Sequence, residues 1–359
     1  MRMRKGRWAA TGCVALGLAL AACGGGSTGA TDTAATGDAA PPEAGSGVTL
    51  TVYTDQHIEL IEALTQEYTK ETGVQFKIQG DATVGQIEAE GDASPADIFL
   101  SEDPAPVAQL GADGLLSPIP ESTLEQVRPG LSSGKGLWVA YAARARVLVY
   151  NPSLIAEDEL PRTLEEIVDP RYKGLFAWAP SGAFVATTQY LISTKGEEWT
   201  KTFLEAIRTN GVNEQKNGNV RDTVEAGKHA MGLTNHYYWW VLATERGGPD
   251  ELASKLYQFP SEDPGNLVLS SGAAVLASSE NAGEAEKFIA WLTSRDGGQN
   301  LIATADAEIS EAQYPVAVGV SSSIVGDLDE VESPSFDMDV LADSGQAEDL
   351  LKQLGMSSG

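Results

Sequence analysis

The chain has 359 residues, a formal net charge of −27 and two cysteines. That length allows two domains, each with a hydrophobic core of its own. So acidic a surface repels nucleic acid and anionic lipid headgroups, which excludes nucleic acid as a partner; it is compatible with a cationic ligand and equally with simple solubility.

Residues 1–22 have the features of a secretion signal. A basic start is followed by an apolar run that is too short to span a bilayer in the mature protein. The run ends in Leu-Ala-Ala before Cys23, which resembles the lipobox of bacterial lipoproteins. The resemblance implies cleavage before Cys23 and its lipidation. An ordinary signal peptide that contains a cysteine is the alternative. We expect an extracytoplasmic protein held at the cell membrane by an N-terminal lipid.

After cleavage and lipidation no free thiol would remain, because Cys13 would be removed and Cys23 consumed. The mature chain would then lack a disulfide, a thiolate metal site and a cysteine nucleophile. Residues 23–47 are rich in Gly, Ser, Thr, Ala and Pro, which predicts a flexible tether reaching about 25 Å.

From residue 48 onward, strand patterns alternate with helix patterns, which predicts an α/β fold with parallel strands and helical crossovers. Strands are predicted at 50–54, 74–78, 97–100, 146–150, 175–178, 230–234 and 268–275. Helices are predicted at 57–72, 84–90, from 104, after 183, and at 199–207, 220–226 and 285–292.

Polar and aromatic side chains follow four of the predicted strands. Ligands of open parallel sheets bind beyond the carboxyl ends of the strands, so these groups are candidates for a site. They are Asp55-Gln56-His57, Ser101-Glu102-Asp103, Ser181-Gly182-Ala183 and Asn235-His236-Tyr237-Tyr238.

Tyr237 and Tyr238 are neighbours, and neighbouring side chains converge only at an irregular junction between a strand and a helix. Asn235 is a suitable N-cap for such a junction. Because a phenol has a pKa near 10, two phenolates require a strong cation, which favours a trivalent hard metal. The alternative is an aromatic core cluster with Trp239 and Trp240.

The other candidates have simpler interpretations when each is taken alone. His57 could begin a helix, and Glu102 could be a solvated acid at a helix terminus. Ser181-Gly182-Ala183 could be an anion site at a helix N-terminus or a plain serine cap. Their joint occurrence at strand ends favours a common site.

Motifs along residues 48–318 resemble the ferric-ion-binding proteins of bacterial iron ABC transporters. The motifs are Val52-Tyr53-Thr54-Asp55-Gln56-His57, Glu71-Thr72-Gly73, Pro95-Ala96-Asp97-Ile98-Phe99 leading to Glu102, Arg144-Ala145-Arg146 with its strand, Ser181-Gly182-Ala183-Phe184, Asn235-x-Tyr237-Tyr238-Trp239 and Ser271-Gly272-Ala273-Ala274-Val275.

The resemblance implies a role for each matched residue. His57, Glu102, Tyr237 and Tyr238 would bind Fe³⁺. A synergistic anion such as phosphate or carbonate would be held by Ser181, Gly182, Ala183, Asn217 and Asn235. Arg144 would lie near the site, either behind the ligands or as a cation that binds the anion. Two phenolates and one carboxylate would cancel the three charges of the metal. His236 stands where the family often has Asn; we interpret it as a bystander, the alternatives being a competing ligand or a group behind the ligands. His229 is expected to be exposed in a turn.

The resemblance also implies a two-lobed, periplasmic-binding-protein-like α/β fold with two hinge crossings and an interlobe cleft. The N-terminal lobe would comprise 48–140 and 268–316, and the C-terminal lobe 141–267 and 317–359. The protein would be a monomer that delivers iron to an ABC transporter permease and breaks no bond.

Two further hypotheses remain open. In the first, the cleft binds an anion or a small organic solute, and the tyrosines form its wall. In the second, the protein is an enzyme, for which the sequence offers little. A G-x-S-x-G elbow is lacking, and the stretch 130–136 is one residue short of a phosphate-binding loop and has no Ser or Thr after Lys135.

Overall fold

The computed structural model describes residues 47–357. The predicted signal peptide, Cys23 and all of the predicted tether except Gly47 lie outside the described residues. Between 47 and 357, no helix is long and apolar enough to cross a membrane.

Strands and helices alternate along the first three quarters of the described chain. The strands are β1 Thr49–Thr54, β2 Gln75–Gln79, β3 Ile98–Ser101, β4 Val139–Tyr150, β5 Phe176–Trp178, β6 Val212–Asn213, β7 Met231–Asn235, β8 Lys255–Tyr257 and β9 Val268–Val275. The helices are α1 Ile58–Thr72, α2 Val84–Glu90, α3 Pro104–Ala112, α4 Glu121–Leu124, α5 Gly182–Lys195, α6 Glu197–Asn210, α7 Asn217–Glu225, α8 His236–Arg246, α9 Ala282–Thr293, α10 Gly298–Thr304, α11 Ala307–Ser310 and α12 Gly345–Gln353.

Strand β4 is common to two sheets. The order is β2-β1-β3-β9-β4-β7-β5-β6, and β8 also pairs with β4. The first half of β4, from Val139 to Ala145, pairs with β9, whereas the second half, from Arg146 to Tyr150, pairs with β7. The chain therefore crosses between the sheets along β4, and crosses back between β8 and β9. This arrangement confirms the predicted two-lobed α/β fold.

Each sheet has its own hydrophobic core. Leu50, Leu64 and Phe288 belong to the core of the first sheet, and Trp178 and Leu204 to that of the second. The C-terminal region contributes to both, since Val325 and Leu328 pack in the first core and Leu350 and Met356 in the second. The division of the chain between the lobes at 140, 267 and 316 stays a prediction.

Most predicted elements lie within a few residues of their observed bounds, but β4 does not. It begins at Val139, seven residues before the predicted start at 146. All twelve of its residues are buried, so its sequence shows no alternation of apolar and polar positions that would mark a strand. The additional residues form the crossing itself.

Candidate metal centre

Two predicted ligands come from neighbouring parallel strands. β1 and β3 pair in parallel, with Val52 opposite Ile98, so their carboxyl ends meet at one edge of the sheet. His57 follows β1 and Glu102 follows β3. Asp55 accepts hydrogen bonds from the Glu102 backbone N–H (2.8 Å) and from the Ser101 hydroxyl (3.3 Å), which fixes the turn after β3.

Gln56 joins the two strand ends to a third. Its side-chain oxygen accepts the His57 backbone N–H at 3.0 Å, and its Nε2 donates to Ser271 Oγ at 3.0 Å. Ser271, on β9, donates in turn to the Glu102 carbonyl at 3.0 Å. Gln56 and Ser271 are buried. This chain of hydrogen bonds holds the histidine and the glutamate in a fixed relation.

The tyrosines begin α8, directly after β7. The rings of Tyr237 and Tyr238 stack with centroids 4.2 Å apart. Tyr237 Oη lies 3.5 Å from Glu102 Oε1, and the Tyr237 and His57 ring centroids lie 6.4 Å apart, edge to face. Glu102, His57 and both phenols therefore lie together, although 135 residues separate Glu102 from Tyr237.

The aromatic run does not form one cluster. Trp239 is buried against the other face of α8, where its indole N–H donates to Ser254 Oγ at 3.1 Å. Tyr237 is only 3 % exposed and Tyr238 is half-buried. The helix start thus directs the phenols and the first indole to different surroundings.

Burial and charge control the protonation of the site. Burial raises the pKa of Tyr237 well above its usual 10, and the nearby Tyr238 and Glu102 raise it further, while Arg144 opposes them. The neutral phenol is therefore the stable form until a cation enters. Burial also lowers the pKa of Arg146 to about 10, so its guanidinium is charged at neutral pH.

Arg146 is a buried cation with few partners. Its Nη1 donates to Asn235 Oδ1 at 2.7 Å. Its Nε and Nη2 have no partner among residues 47–357. Asn235 occupies the N-cap position of α8 as predicted, but its side chain does not cap the helix, because its oxygen is engaged by Arg146.

The residues predicted to hold an anion lie at two helix starts and at the end of β7. Ser181 caps α5 and accepts the Phe184 N–H at 3.3 Å, with Gly182 and Ala183 in the first turn. Asn217 begins α7 and is buried, and its Oδ1 has no partner within residues 47–357. Its backbone oxygen accepts the Thr234 hydroxyl at 3.2 Å, which ties it to β7.

Arg144 lies on β4 at the crossing and is 1 % exposed. Its guanidinium donates to the Glu102 carbonyl and forms an ion pair with Asp103. Its Nε has no partner in the described part of the chain. The positive charge that was predicted beside the anion is therefore already paired with a carboxylate.

Glu311 is a site neighbour that the sequence analysis missed. Its Oε1 lies 3.9 Å from His57 Nδ1, and its backbone has a φ of 50°, in the left-handed region. Burial raises the pKa of its carboxyl. No periodicity marks it, since it lies in the loop after α11. Asp55, Gln56 and Asp103 were also given no role, although they adjoin predicted ligands.

The two remaining histidines are buried. Ala145 N–H donates to His236 Nδ1 at 3.2 Å, and burial lowers the pKa of His236 to about 3, so it stays neutral and bound to the crossing strand. The prediction that His229 is exposed is wrong. His229 is 6 % exposed, and its Nε2 lies 2.7 Å from Glu214 Oε1. Glu214 also pairs with Lys228, and these contacts hold the turn closed over the histidine.

The site offers one imidazole, one carboxylate and two phenols. Across residues 47–357 no group of three His, Cys, Asp or Glu side chains could hold a metal ion. A site for a divalent metal built from those residue types is therefore not found there. Phenolate and carboxylate oxygens suit a hard cation of high charge.

Comparisons with known proteins show which proteins this chain resembles. The model of the bacterial extracellular solute-binding protein family matches residues 54–299. The major ferric iron-binding protein of Neisseria meningitidis serogroup B is 35% identical over 319 residues, which are 86% of this chain and 93% of that protein. The Fe(3+)-binding periplasmic protein of Serratia marcescens is 35% identical over 312 residues, covering 86% and 90% of the two chains.

A solved structure shares the fold. Iron-bound HitA from Pseudomonas aeruginosa superposes with a TM-score of 0.77 and 35% sequence identity, covering 86% of this chain and 99% of that one. The chain therefore belongs to the ferric-binding protein family of the bacterial extracellular solute-binding proteins.

Proposed function

We propose that this protein captures ferric iron between its two lobes and delivers it to the permease of an ABC transporter. The observation that carries the proposal is the meeting of the stacked phenols of Tyr237 and Tyr238 with Glu102 at 3.5 Å, with the His57 ring alongside. These four side chains bind the metal. The relatives named for ferric iron support the choice of cargo.

Charge balance explains the selectivity of such a site. Fe³⁺ displaces the phenolic protons, and the two phenolates together with the Glu102 carboxylate cancel its three charges. A divalent cation would leave one negative charge uncompensated in a buried site. Tyr237, whose pKa burial raises, gives up its proton only to a strong cation.

The exogenous anion expected from the sequence, phosphate or carbonate, would lie at Ser181, Gly182, Ala183, Asn217 and Asn235. The free amide groups that begin α5 and the partly unpaired guanidinium of Arg146 support this placement. Asp103 lies against Gly182, so the anion must compete with a carboxylate for the start of α5.

The two places where the chain crosses between the lobes would allow iron to be captured and released. Opening the two lobes about β4 and the segment between β8 and β9 would separate His57 and Glu102 from the tyrosines and free the metal.

We further propose that Cys23 carries the lipid that keeps the monomer near its permease, and that the protein acts by binding alone, without catalysis. Replacing Cys23 by Ala should release the protein from the membrane fraction.

The test is a titration of the iron-free protein with ferric citrate, followed by visible absorbance. The expected result is a phenolate-to-iron charge-transfer band and tight binding. The double variant Tyr237→Phe/Tyr238→Phe should lose both. Tyr257→Phe is the matched control, because Tyr257 is a half-buried tyrosine of β8 that packs on Phe259; it should keep both. A band that is absent from the iron-loaded wild-type protein, or persists in the double variant, would reject the proposal.

A further inference from the structure

Asp103 lies between the two halves of the proposed site. It occupies the N-cap position of α3 but makes no capping hydrogen bond with its side chain. Its Oδ1 instead pairs with Arg144, and the two side chains are 26% and 2% exposed. A Cβ atom placed on Gly182 would stand 2.6 Å from Asp103 Oδ2. The carboxylate is thus turned away from its own helix and toward the start of α5.

This position matters because two of the groups expected to receive an exogenous anion already face Asp103. Arg144 supplies one positive charge, and that charge is matched by Asp103, while its Nη1 is taken by the Glu102 carbonyl. Gly182 begins α5, whose N-terminal end favours a negative group. An incoming phosphate would meet a carboxylate on that side, and like charges in a partly buried site repel.

The loaded site needs no small anion to balance its positive charges. Glu102 and two phenolates would cancel the charge of Fe³⁺, and Asp103 cancels Arg144. Of the remaining charges, Arg146 is a buried cation, while Glu311 beside His57 and Asp55 beside Glu102 are two carboxylates. A phosphate dianion would add further negative charge to this set of groups.

We propose that Asp103 is a built-in carboxylate of the anion site, so that this protein binds ferric iron without an exogenous anion, and phosphate enters only by displacing Asp103. The inference rests on the proposed function. It makes Asp103 a positioning residue, which acts through Arg144 and Gly182 and does not itself bind the metal.

The test compares iron loading with and without phosphate. Ferrous chloride is added to the iron-free protein in buffer freed of phosphate and carbonate, and is oxidised in place by limited oxygen, so that chloride is the only small anion. The readouts are the charge-transfer band, the iron and phosphorus content of the washed protein, and iron removal by a competing chelator.

The wild-type protein should load iron and show the band without phosphate, and millimolar phosphate should leave the iron affinity unchanged and add no stoichiometric phosphorus. Asp103→Asn should bind iron about ten-fold more weakly without phosphate, because Arg144 loses its counter-charge, and should recover with phosphate while retaining phosphorus. Asp113→Asn, an exposed residue at the other end of α3, is the control and should behave as wild type.

The outcomes separate the two proposals. A wild-type protein that shows the band only with phosphate would overturn the role of Asp103 and leave the proposed function intact. An Asp103→Asn variant with the phosphate dependence of the wild type would overturn it equally. If the wild-type protein shows no band under any of these conditions, iron binding itself is rejected. The phosphate dependence of the wild-type protein decides the matter even if the variant does not fold.

Discussion

At the level of single residues, Gln56 connects parts of the site that are distant in the sequence. Its amide bonds to Ser271, 215 positions away, and its oxygen holds the His57 backbone. Because Ser271 also bonds the Glu102 carbonyl, one side chain sets the spacing of two proposed ligands. A carboxamide can do this because it both donates and accepts.

Replacing Gln56 by Leu should weaken iron binding about ten-fold, equivalent to about 1.4 kcal/mol. The variant should also unfold more readily, by about 1–3 kcal/mol, because buried partners lose their hydrogen bonds. Competition with citrate and urea denaturation measure the two effects. Gln75→Leu, at an exposed position of β2, is the control. Unchanged citrate competition by the Gln56 variant would show that the network does not position the ligands.

Asp327 lies in the segment between α11 and α12, and its hydrogen bonds predict how the stability of the protein depends on pH. It accepts the Asp329 N–H (3.0 Å), the Ser321 hydroxyl (2.8 Å) and Arg128 Nη2 (2.8 Å). The backbone hydrogen bond from Asp329, followed by that from Ser321, lowers the pKa of its carboxyl below the usual 3.8. The unfolded state therefore binds the proton more tightly than the folded state does.

The stabilisation by Asp327 is therefore fully present above pH 3.8 and is lost as the pH falls through the lower, folded pKa. Asp327→Asn keeps a capping oxygen but loses the charge, and should reduce the free energy of unfolding at neutral pH by about 1 kcal/mol, a modest value because the side chain is partly exposed. The difference from wild type should vanish in acid. Urea denaturation at several pH values measures it, with the exposed Asp349→Asn as the control. A difference that persists in acid would contradict this account.

At the level of elements, the sequence predicted what depends on local pattern. β9 was predicted at its observed bounds, although two serines and a glycine interrupt its apolar residues. The ends of β1, β3 and β7 were predicted to carry the ligands, since strand ends gather at one edge. The start of β4 was missed because every residue there is buried.

Features that depend on long-range packing could not be predicted. Glu311 approaches His57 because its loop adopts a left-handed backbone, and no sequence period encodes that. The burial of His229 depends on Glu214, which lies in the preceding loop. Asp103 is adjacent to a predicted ligand, yet its turn toward Gly182 depends on Arg144 from another element.

The contact of β9 with α3 gives a prediction at this scale. A Cβ on Gly272 would lie 2.4 Å from Val107 Cγ2 and 3.2 Å from its Cγ1. Gly272→Ala should therefore reduce the free energy of unfolding by about 1–3 kcal/mol through overpacking. Val107→Ala removes the opposing methyl groups, so the double variant should be more stable than the sum of the two single effects predicts.

Urea denaturation of the four proteins of this cycle measures the coupling. Gly283→Ala is the control, because its Cβ would meet nothing within 4 Å and it lies in α9, where Ala should be neutral or stabilising by up to about 1 kcal/mol. Strict additivity of Gly272→Ala and Val107→Ala would mean that the strand and the helix do not press on each other at this point.

At the level of the whole molecule, β4 makes the two lobes interdependent. Its first half is hydrogen-bonded to β9 in one sheet and its second half to β7 and β8 in the other. Loss of either sheet exposes half of a wholly buried strand. We therefore expect the iron-free protein to unfold in one cooperative thermal transition, although each lobe has its own core.

The proposed iron site takes groups from both sheets, so iron should shift that single transition and not divide it. A ligand at a thousand times its dissociation constant stabilises the folded state by about 4 kcal/mol, which for a chain of this size corresponds to a rise in Tm of about 6 °C. Differential scanning calorimetry measures the shift, and Tyr237→Phe/Tyr238→Phe should abolish it while Tyr257→Phe retains it. Two transitions, of which iron moves only one, would mean that the metal is held by one lobe alone and that β4 does not couple them.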